Sequence, residues 1–173
     1  MRDIVEDQLH DGTRVHIRPI TPEDRAELAA AVRRLSPQSR YQRFLGAIDG
    51  LDERTLSYLT EIDHHDHEAL VAFDAGDGQA VGVARYARAP AGTDAAELAV
   101  VVADPWQGQG LGTLLIRRLV GRAQDEGITR LTALVLAANS DMLQLFEHEG
   151  WRREGLPHDG TVELSYAVPA ADA

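Results

Sequence analysis

The apolar residues of the chain change period several times, and each change marks an element. Across residues 13–20 polar and apolar positions alternate, the pattern of a half-buried strand. Thr21-Pro-Glu-Asp24 then interrupts the chain. Thr21 suits an N-cap, Pro22 the first helical position, and Asp24 the acidic end of a capping box. Leu28, Val32 and Leu35 follow at helical spacing. Ser36-Pro-Gln-Ser39 opens a second short helix through Tyr41, Phe44 and Leu45, with Tyr41 and Phe44 expected in the core. Leu51, Leu56 and Leu59 mark a third. Residues 68–74 read as a strand, turned by Gly76-Asp-Gly78 into a hairpin partner at 80–89. Residues 96–103 form another strand, and 111–123 a helix with Gly127 past its end. Residues 131–137 are apolar almost throughout, which predicts a strand buried on both faces. A helix at 140–149 ends at Gly150, and 151–154 and 161–168 read as terminal strands.

This order of elements predicts an α/β fold. It has a mixed sheet with antiparallel hairpins early and a βαβ crossover around residues 98–135. At 173 residues one domain is expected, over 13–168, with an N-terminal arm at 1–12 and a frayed tail at 169–173.

Composition narrows the function classes. A net charge of −11 argues against nonspecific nucleic-acid binding, which needs basic surface, and an acidic surface suits a cationic acceptor such as an amine. No apolar run approaches the ~20 residues of a membrane span, and the charged start is unlike a signal peptide. Cysteine is absent, which excludes disulfides, thiolate metal sites and a cysteine nucleophile. The cytoplasm is the expected location.

The stretch of greatest chemical interest is Val102-Ala-Asp-Pro-Trp-Gln-Gly-Gln-Gly-Leu-Gly-Thr113. A strand breaks into a turn with Gly108, Gly110 and Gly112, and a helix starts. Such a junction holds phosphate: glycines permit close approach to the main chain, and the first helical amides are free and carry partial positive charge. The spacing is not the Gly-x-Gly-x-x-Gly of a dinucleotide site, and no Gly-Lys-Ser/Thr follows as in a P-loop. A plain tight turn into a helix fits these letters as well.

Gln107-Gly-Gln-Gly-Leu-Gly112 resembles the Gln/Arg-x-x-Gly-x-Gly/Ala signature of the GNAT family of N-acetyltransferases. Asn139-Ser-Asp-Met-Leu-Gln-Leu-Phe-Glu-His-Glu-Gly-Trp151 resembles a second segment of that family at the expected separation. Together they cover about residues 96–151. The resemblance implies a central mixed sheet, flanked by helices, whose two parallel strands splay into a V that takes acetyl-CoA. It places the pyrophosphate on the amides of Gln107, Gly108, Gln109, Gly110, Leu111, Gly112 and Thr113. It places the pantetheine arm along Val100, Val101 and Val102, with Asn139 alongside. No metal is implied.

An amine must be neutral to attack a thioester. A lysine of pKa about 10.4 is neutral roughly once in 2,500 at pH 7, a deficit near ~4.6 kcal/mol. Glu97, in the otherwise apolar Ala95-Ala-Glu-Leu-Ala-Val100, occupies the position that resembles the family's general base. The plainer alternative is a strand-start glutamate facing solvent or an arginine. Many family members carry a general-acid tyrosine where this chain has Phe146, so no general acid is assigned.

The N-terminal half resembles, within the same family, bacterial protein lysine acetyltransferases. The matching residues are Ile17-Arg-Pro-Ile-Thr-Pro-Glu-Asp24, Leu35-Ser-Pro-Gln-Ser-Arg-Tyr-Gln-Arg-Phe44, Leu59-Thr-Glu-Ile-Asp63 and His67-Glu-Ala-Leu-Val-Ala72. The acceptor implied is a protein lysine or a small amine. A noncatalytic acetyl-CoA sensor is the alternative, and the oligomeric state stays open, a homodimer included. Arg40 and Arg43 are candidates for substrate or structural contacts, the commoner reading being solvated or surface-paired helix residues. His64-His-Asp-His67 reads as a solvated loop rather than a metal site, because no fourth ligand accompanies it.

Overall fold

The computed structural model describes residues 4–172. Eight strands form one sheet in the order β1-β2-β3-β4-β5-β6-β8-β7. They are β1 (Val5–Gln8), β2 (Arg14–Pro19), β3 (His67–Asp74), β4 (Ala80–Arg88), β5 (Ala95–Val102), β6 (Arg130–Leu136), β7 (Arg152–His158) and β8 (Thr161–Ala167). Every neighbouring pair is antiparallel except β5 and β6, which are joined by the crossover helix α4 (Leu111–Asp125). The other helices are α1 (Arg25–Arg34), α2 (Pro37–Phe44), α3 (Glu53–Thr60) and α5 (Ser140–His148).

Strand alternation sorts the side chains onto two faces. Ala96, Leu98, Val100 and Val102 of β5 pack with Leu111, Leu115, Ile116 and Leu119 of α4 and with Leu143 and Phe146 of α5. The α4 residues recur at helical spacing, so one stripe of that helix is fully buried. α4 presses closely on β4: a Cβ at Gly82 would lie 2.9 Å from Leu115 Cδ1, so a larger residue there would have to displace the Leu115 side chain. On the opposite face Val101 joins Val83, Ala69 and Val71 under Leu28 of α1 and Leu56 and Leu59 of α3.

The fold class and the element order agree with the sequence reading, and four details differ. The expected arm contains β1, paired to β2 from Val5↔Ile17 to Gln8↔Arg14; residues 1–3 lie outside the described residues. In the expected frayed tail, the carbonyls of Pro169 and Ala170 accept hydrogen bonds from Gln124. β6 is not buried on both faces, since Leu134 is 42% exposed: α1 and α3 cover the sheet up to β5 and leave that side of β6 open. Tyr41 is 48% exposed rather than in the core, because the short α2 turns it outward.

Candidate active site

β5 and β6 pair only at Ala95↔Arg130, Ala96↔Leu131 and Glu97↔Thr132. Beyond that rung they diverge, although β5 stays paired to β4 as far as Val102. The main chain from Leu98 to Val102 therefore faces a gap on its β6 side. The gap is open to solvent and is lined by Val100, Val101, Val102, Gln107, Asn139 and Phe146, among others. Strand-edge amides and carbonyls without a neighbour require partners, and an extended amide-bearing chain can supply them.

The gap runs into a wider cleft lined by Gln107, Gly108, Gly110, Gly112, Thr113 and Asn139. Gly108 (φ 74°) and Gly110 (φ 91°) are both left-handed, which puts the turn out of easy reach of other residues. Gly110 is also the N-cap of α4, so no side chain caps that helix. The amides of Leu111, Gly112 and Thr113 have no protein acceptor among the described residues. Orphan amides at the positive end of a 15-residue helix, facing a cleft, suit a pyrophosphate.

The remaining expected residues take definite places. The Leu111 side chain is 1% exposed and belongs to the core, so only its main chain is at the cleft. Gln109 donates to Pro105 O at 3.3 Å and holds the turn from outside. Gln107 donates to Val102 O at 3.0 Å and to Ser39 Oγ at 3.3 Å, tying turn, strand end and α2 together. Asn139 caps α5 by accepting from Met142 N at 3.3 Å, and it lines both clefts. Phe146 is 1% exposed, edge-on to Trp151 with centroids 4.8 Å apart, and has no proton to give.

Glu97 stands at the last β5–β6 rung, where the V opens. Its carboxylate is exposed, and among the described residues it has no hydrogen bond or ion pair. It is the one carboxylate whose charge acts on Arg43 of α2. Arg43, for which a substrate or structural contact and a surface position were both open, lines the gap, half-buried, with its guanidinium 4.9 Å from the Phe44 ring centroid. Arg40 donates to the carbonyls of Arg33 and Leu35 and is structural.

Sequence reasoning missed the fastening of α2. Asp104 accepts from Ser36 N at 3.0 Å, Ser36 Oγ at 2.7 Å and Ser39 Oγ at 2.8 Å. Burial opposes its ionisation, but these bonds outweigh burial and hold its carboxyl below the usual range. The available signal was an N-cap serine before Pro37 and an aspartate before Pro105; nothing local said that they meet. The histidine stretch is also more ordered than expected. His64 Nδ1 lies 2.7 Å from Glu68 Oε1, His65 reaches Glu126, and His67 Nε2 accepts from Arg85 at 3.0 Å. Among the described residues no group of three or more His, Asp or Glu side chains is placed to hold a metal ion.

A splayed parallel pair with a free strand edge, continuous with a helix N-terminus in a Gly-rich turn, defines an acyltransferase that takes its acyl group from a CoA thioester. The model of the acetyltransferase (GNAT) family matches residues 33–151. The chain is 37% identical over 157 residues to acetyltransferase PA5475 of Pseudomonas aeruginosa, covering 90% of this chain and 84% of that protein. It is 30% identical over 167 residues to acetyltransferase Pat of Mycolicibacterium smegmatis, covering 95% of this chain and 49% of Pat, so it spans about half of Pat's length. The solved GNAT domain of S. lividans PAT matches with a TM-score of 0.88 at 31% identity, covering 95% of this chain and 96% of that domain. The fold is shared, at a TM-score of 0.72 and 19% identity over 92% of this chain and 96% of that one, by yncA of Salmonella typhimurium, solved with acetyl-CoA. The chain belongs to the acetyltransferase (GNAT) family. It is an N-acetyltransferase that uses acetyl-CoA.

Proposed function

We propose that this chain acetylates the side-chain amine of a protein lysine, with Glu97 as the general base. The observation that carries this reading is Glu97 itself: an unpaired carboxylate on an otherwise apolar strand, at the vertex of the V. A carboxylate gains nothing structural there, whereas a proton acceptor at the reacting end contributes ~10²–10⁴-fold to amine attack. The free edge of Val100, Val101 and Val102 and the amides from Gly108 to Thr113 hold the donor, with Asn139 beside it; the Gln107 amide is spent on Asp104 O at 3.3 Å. Bound there, acetyl-CoA supplies the acetyl group as a thioester. Glu97 removes the ammonium proton, directly or through water, and the neutral nitrogen attacks with no covalent enzyme intermediate.

A lysine acceptor is supported by the likeness to Pat and to the S. lividans PAT domain. It is also supported by where the matching N-terminal segments fall. Residues 35–44 form α2 and the N-cap before it, over the gap; 59–63 begin at the end of α3, where Leu59 O accepts from Arg85, and 67–72 form most of β3 beside β4. A small amine is the second reading, favoured by the open exposure of Glu97. The proposal includes a cytoplasmic location, where donor and protein lysines coexist; among the described residues no helix is long and apolar enough to cross a membrane.

The test is transfer of labelled acetyl from acetyl-CoA to a proteome, with the modified atom located by mass spectrometry. All 17 basic residues counted as Lys+Arg are arginines, so an acetyl-lysine signal cannot arise from the enzyme's own side chains. Label on protein lysines, lost with Glu97→Gln, is expected. Label confined to free amines would move the assignment to small molecules.

A further inference from the structure

Most arginines enclosed in this fold are matched to carboxylates; Arg40, Arg43 and Arg85 are not, and of these Arg40 is held by the carbonyls of Arg33 and Leu35. Arg18 pairs with Asp24, Arg88 with Asp66, Arg118 with Asp7 and Arg122 with Glu68. Arg85 is 6% exposed and has no carboxylate within 4 Å among the described residues; its bonds are to Leu59 O at 3.2 Å and His67 Nε2 at 3.0 Å. Arg43, the arginine of the gap, has neither a hydrogen bond nor an ion pair among the described residues. Burial and then the Arg43 charge push Arg85 down to about 9, and enclosure lowers Arg43 against the pull of Glu97.

The acceptor end of the cleft thus has Arg43 in its lining and Glu97 at its vertex, with Arg85 buried on β4 opposite Ala99, in a chain whose net charge is −11. This local reversal of sign is wrong for a bare ammonium ion and right for an acceptor that brings its own negative charge. Arg43 lines the gap with no protein partner to give up, and a planar fork of donors matches a carboxylate in two bonds. Arg43 is also presented on a fastened element, since Asp104 pins the start of α2 through Ser36 and Ser39. Arg85 lies on β4, opposite Ala99 of the cleft strand.

We propose that Arg43, backed by Arg85, is an oxyanion subsite beside Glu97, so that the preferred acceptor is an amine with a carboxylate close to the reacting nitrogen. This deepens the acetyl-transfer reading above and rests on it. Two sources share the chemistry: the α-carboxylate of a free amino acid, and an acidic side chain flanking a lysine in a protein. Arg43 sets specificity, while Glu97 keeps the proton-transfer role.

Two substrate pairs test it on the intact chain with acetyl-CoA. One compares α-amino acids with their carboxamides. The other compares N-blocked peptides carrying Lys beside Asp with the same peptides carrying Asn. In at least one pair the wild type should favour the carboxylate by tenfold or more in kcat/KM, mostly through KM, as a charge-assisted hydrogen bond provides. Arg43→Gln should bring that ratio close to one, and Arg43→Lys should keep part of it. The responding pair identifies the source. Equal use of both members of both pairs by the wild type overturns the subsite and leaves acetyl transfer standing. A ratio kept by Arg43→Gln overturns the role of Arg43. Absence of turnover with every acceptor, with acetyl-CoA still bound, overturns the proposed function and the subsite together. The substrate pairs need no variant, so a folding defect in Arg43→Gln does not block the test.

Discussion

Replacing Asp104 with alanine tests how the cleft is held together. The carboxylate collects three hydrogen bonds from Ser36 and Ser39, and no other acceptor for the Ser36 amide lies nearby. Hydrogen bonds to a charged group are worth up to ~3 kcal/mol each, but this site is half-buried and solvent replaces part of each bond. A net loss of about 2–3 kcal/mol in unfolding free energy is expected. The loss has a functional side. Ser39, Gln42 and Arg43 of α2 line the gap, and Gln107 reaches across to Ser39. Freeing the start of α2 loosens one wall, so acetyl-CoA should bind about tenfold more weakly, in line with an ordering cost of ~1.4 kcal/mol. Urea titration reads the first quantity and calorimetry with CoA the second. Stability within 0.5 kcal/mol of wild type, about the ordinary effect of a surface substitution, together with unchanged CoA affinity would refute the fastening role.

Gly110 and Gly121 should respond in opposite ways to alanine. At Gly110 (φ 91°) a Cβ would meet the His10 ring at 3.0–3.3 Å, so Gly110→Ala should cost about 1–2 kcal/mol in backbone strain and weaken CoA binding. Gly121 lies inside α4 with nothing within 4 Å, so Gly121→Ala should stabilise by up to ~1 kcal/mol, read as a higher Tm. Acid should act through His67. Burial, and then the charge of Arg85, push His67 down to about 4. The unfolded chain takes up that proton near ~6.5, so this contribution is intact above that value and is lost as pH falls from 6.5 towards 4. Discounted for partial exposure it amounts to about 1–2 kcal/mol. Denaturant titrations between about pH 7.5 and 4.5 should show a shallower decline for His67→Gln than for wild type, and parallel declines would contradict the assignment.

What was legible in the sequence is what depends on neighbours along the chain. The period of Leu111, Leu115 and Leu119 gave α4, and the apolar run before it gave β5. The glycines announced a phosphate-binding junction, because φ and helix-terminal amides are local properties. The V between β5 and β6 was reached only through resemblance. Strand letters do not tell where pairing stops, here after Glu97↔Thr132. Tyr41 and Leu134 were misjudged for one reason: hydrophobicity does not report whether another element arrives to cover a side chain. The histidine stretch and the Asp104 network were illegible because their partners lie far off. His65 meets Glu126, His67 meets Arg85, and Asp104 meets serines 65 and 68 positions earlier. Arg43 looked like an ordinary helical arginine until the fold left it without a carboxylate.

The proposed reaction depends most on Glu97 as the proton acceptor, and a pH–rate profile of Glu97→Gln against wild type tests that directly. The substitution keeps size and polarity and removes only basicity. CoA affinity should be retained, kcat/KM near neutral pH should fall about 10²–10⁴-fold, and the deficit should shrink as pH rises towards the amine's own pKa, where the acceptor is already neutral. Activity within threefold of wild type across the whole range, with CoA still bound, would contradict the claim.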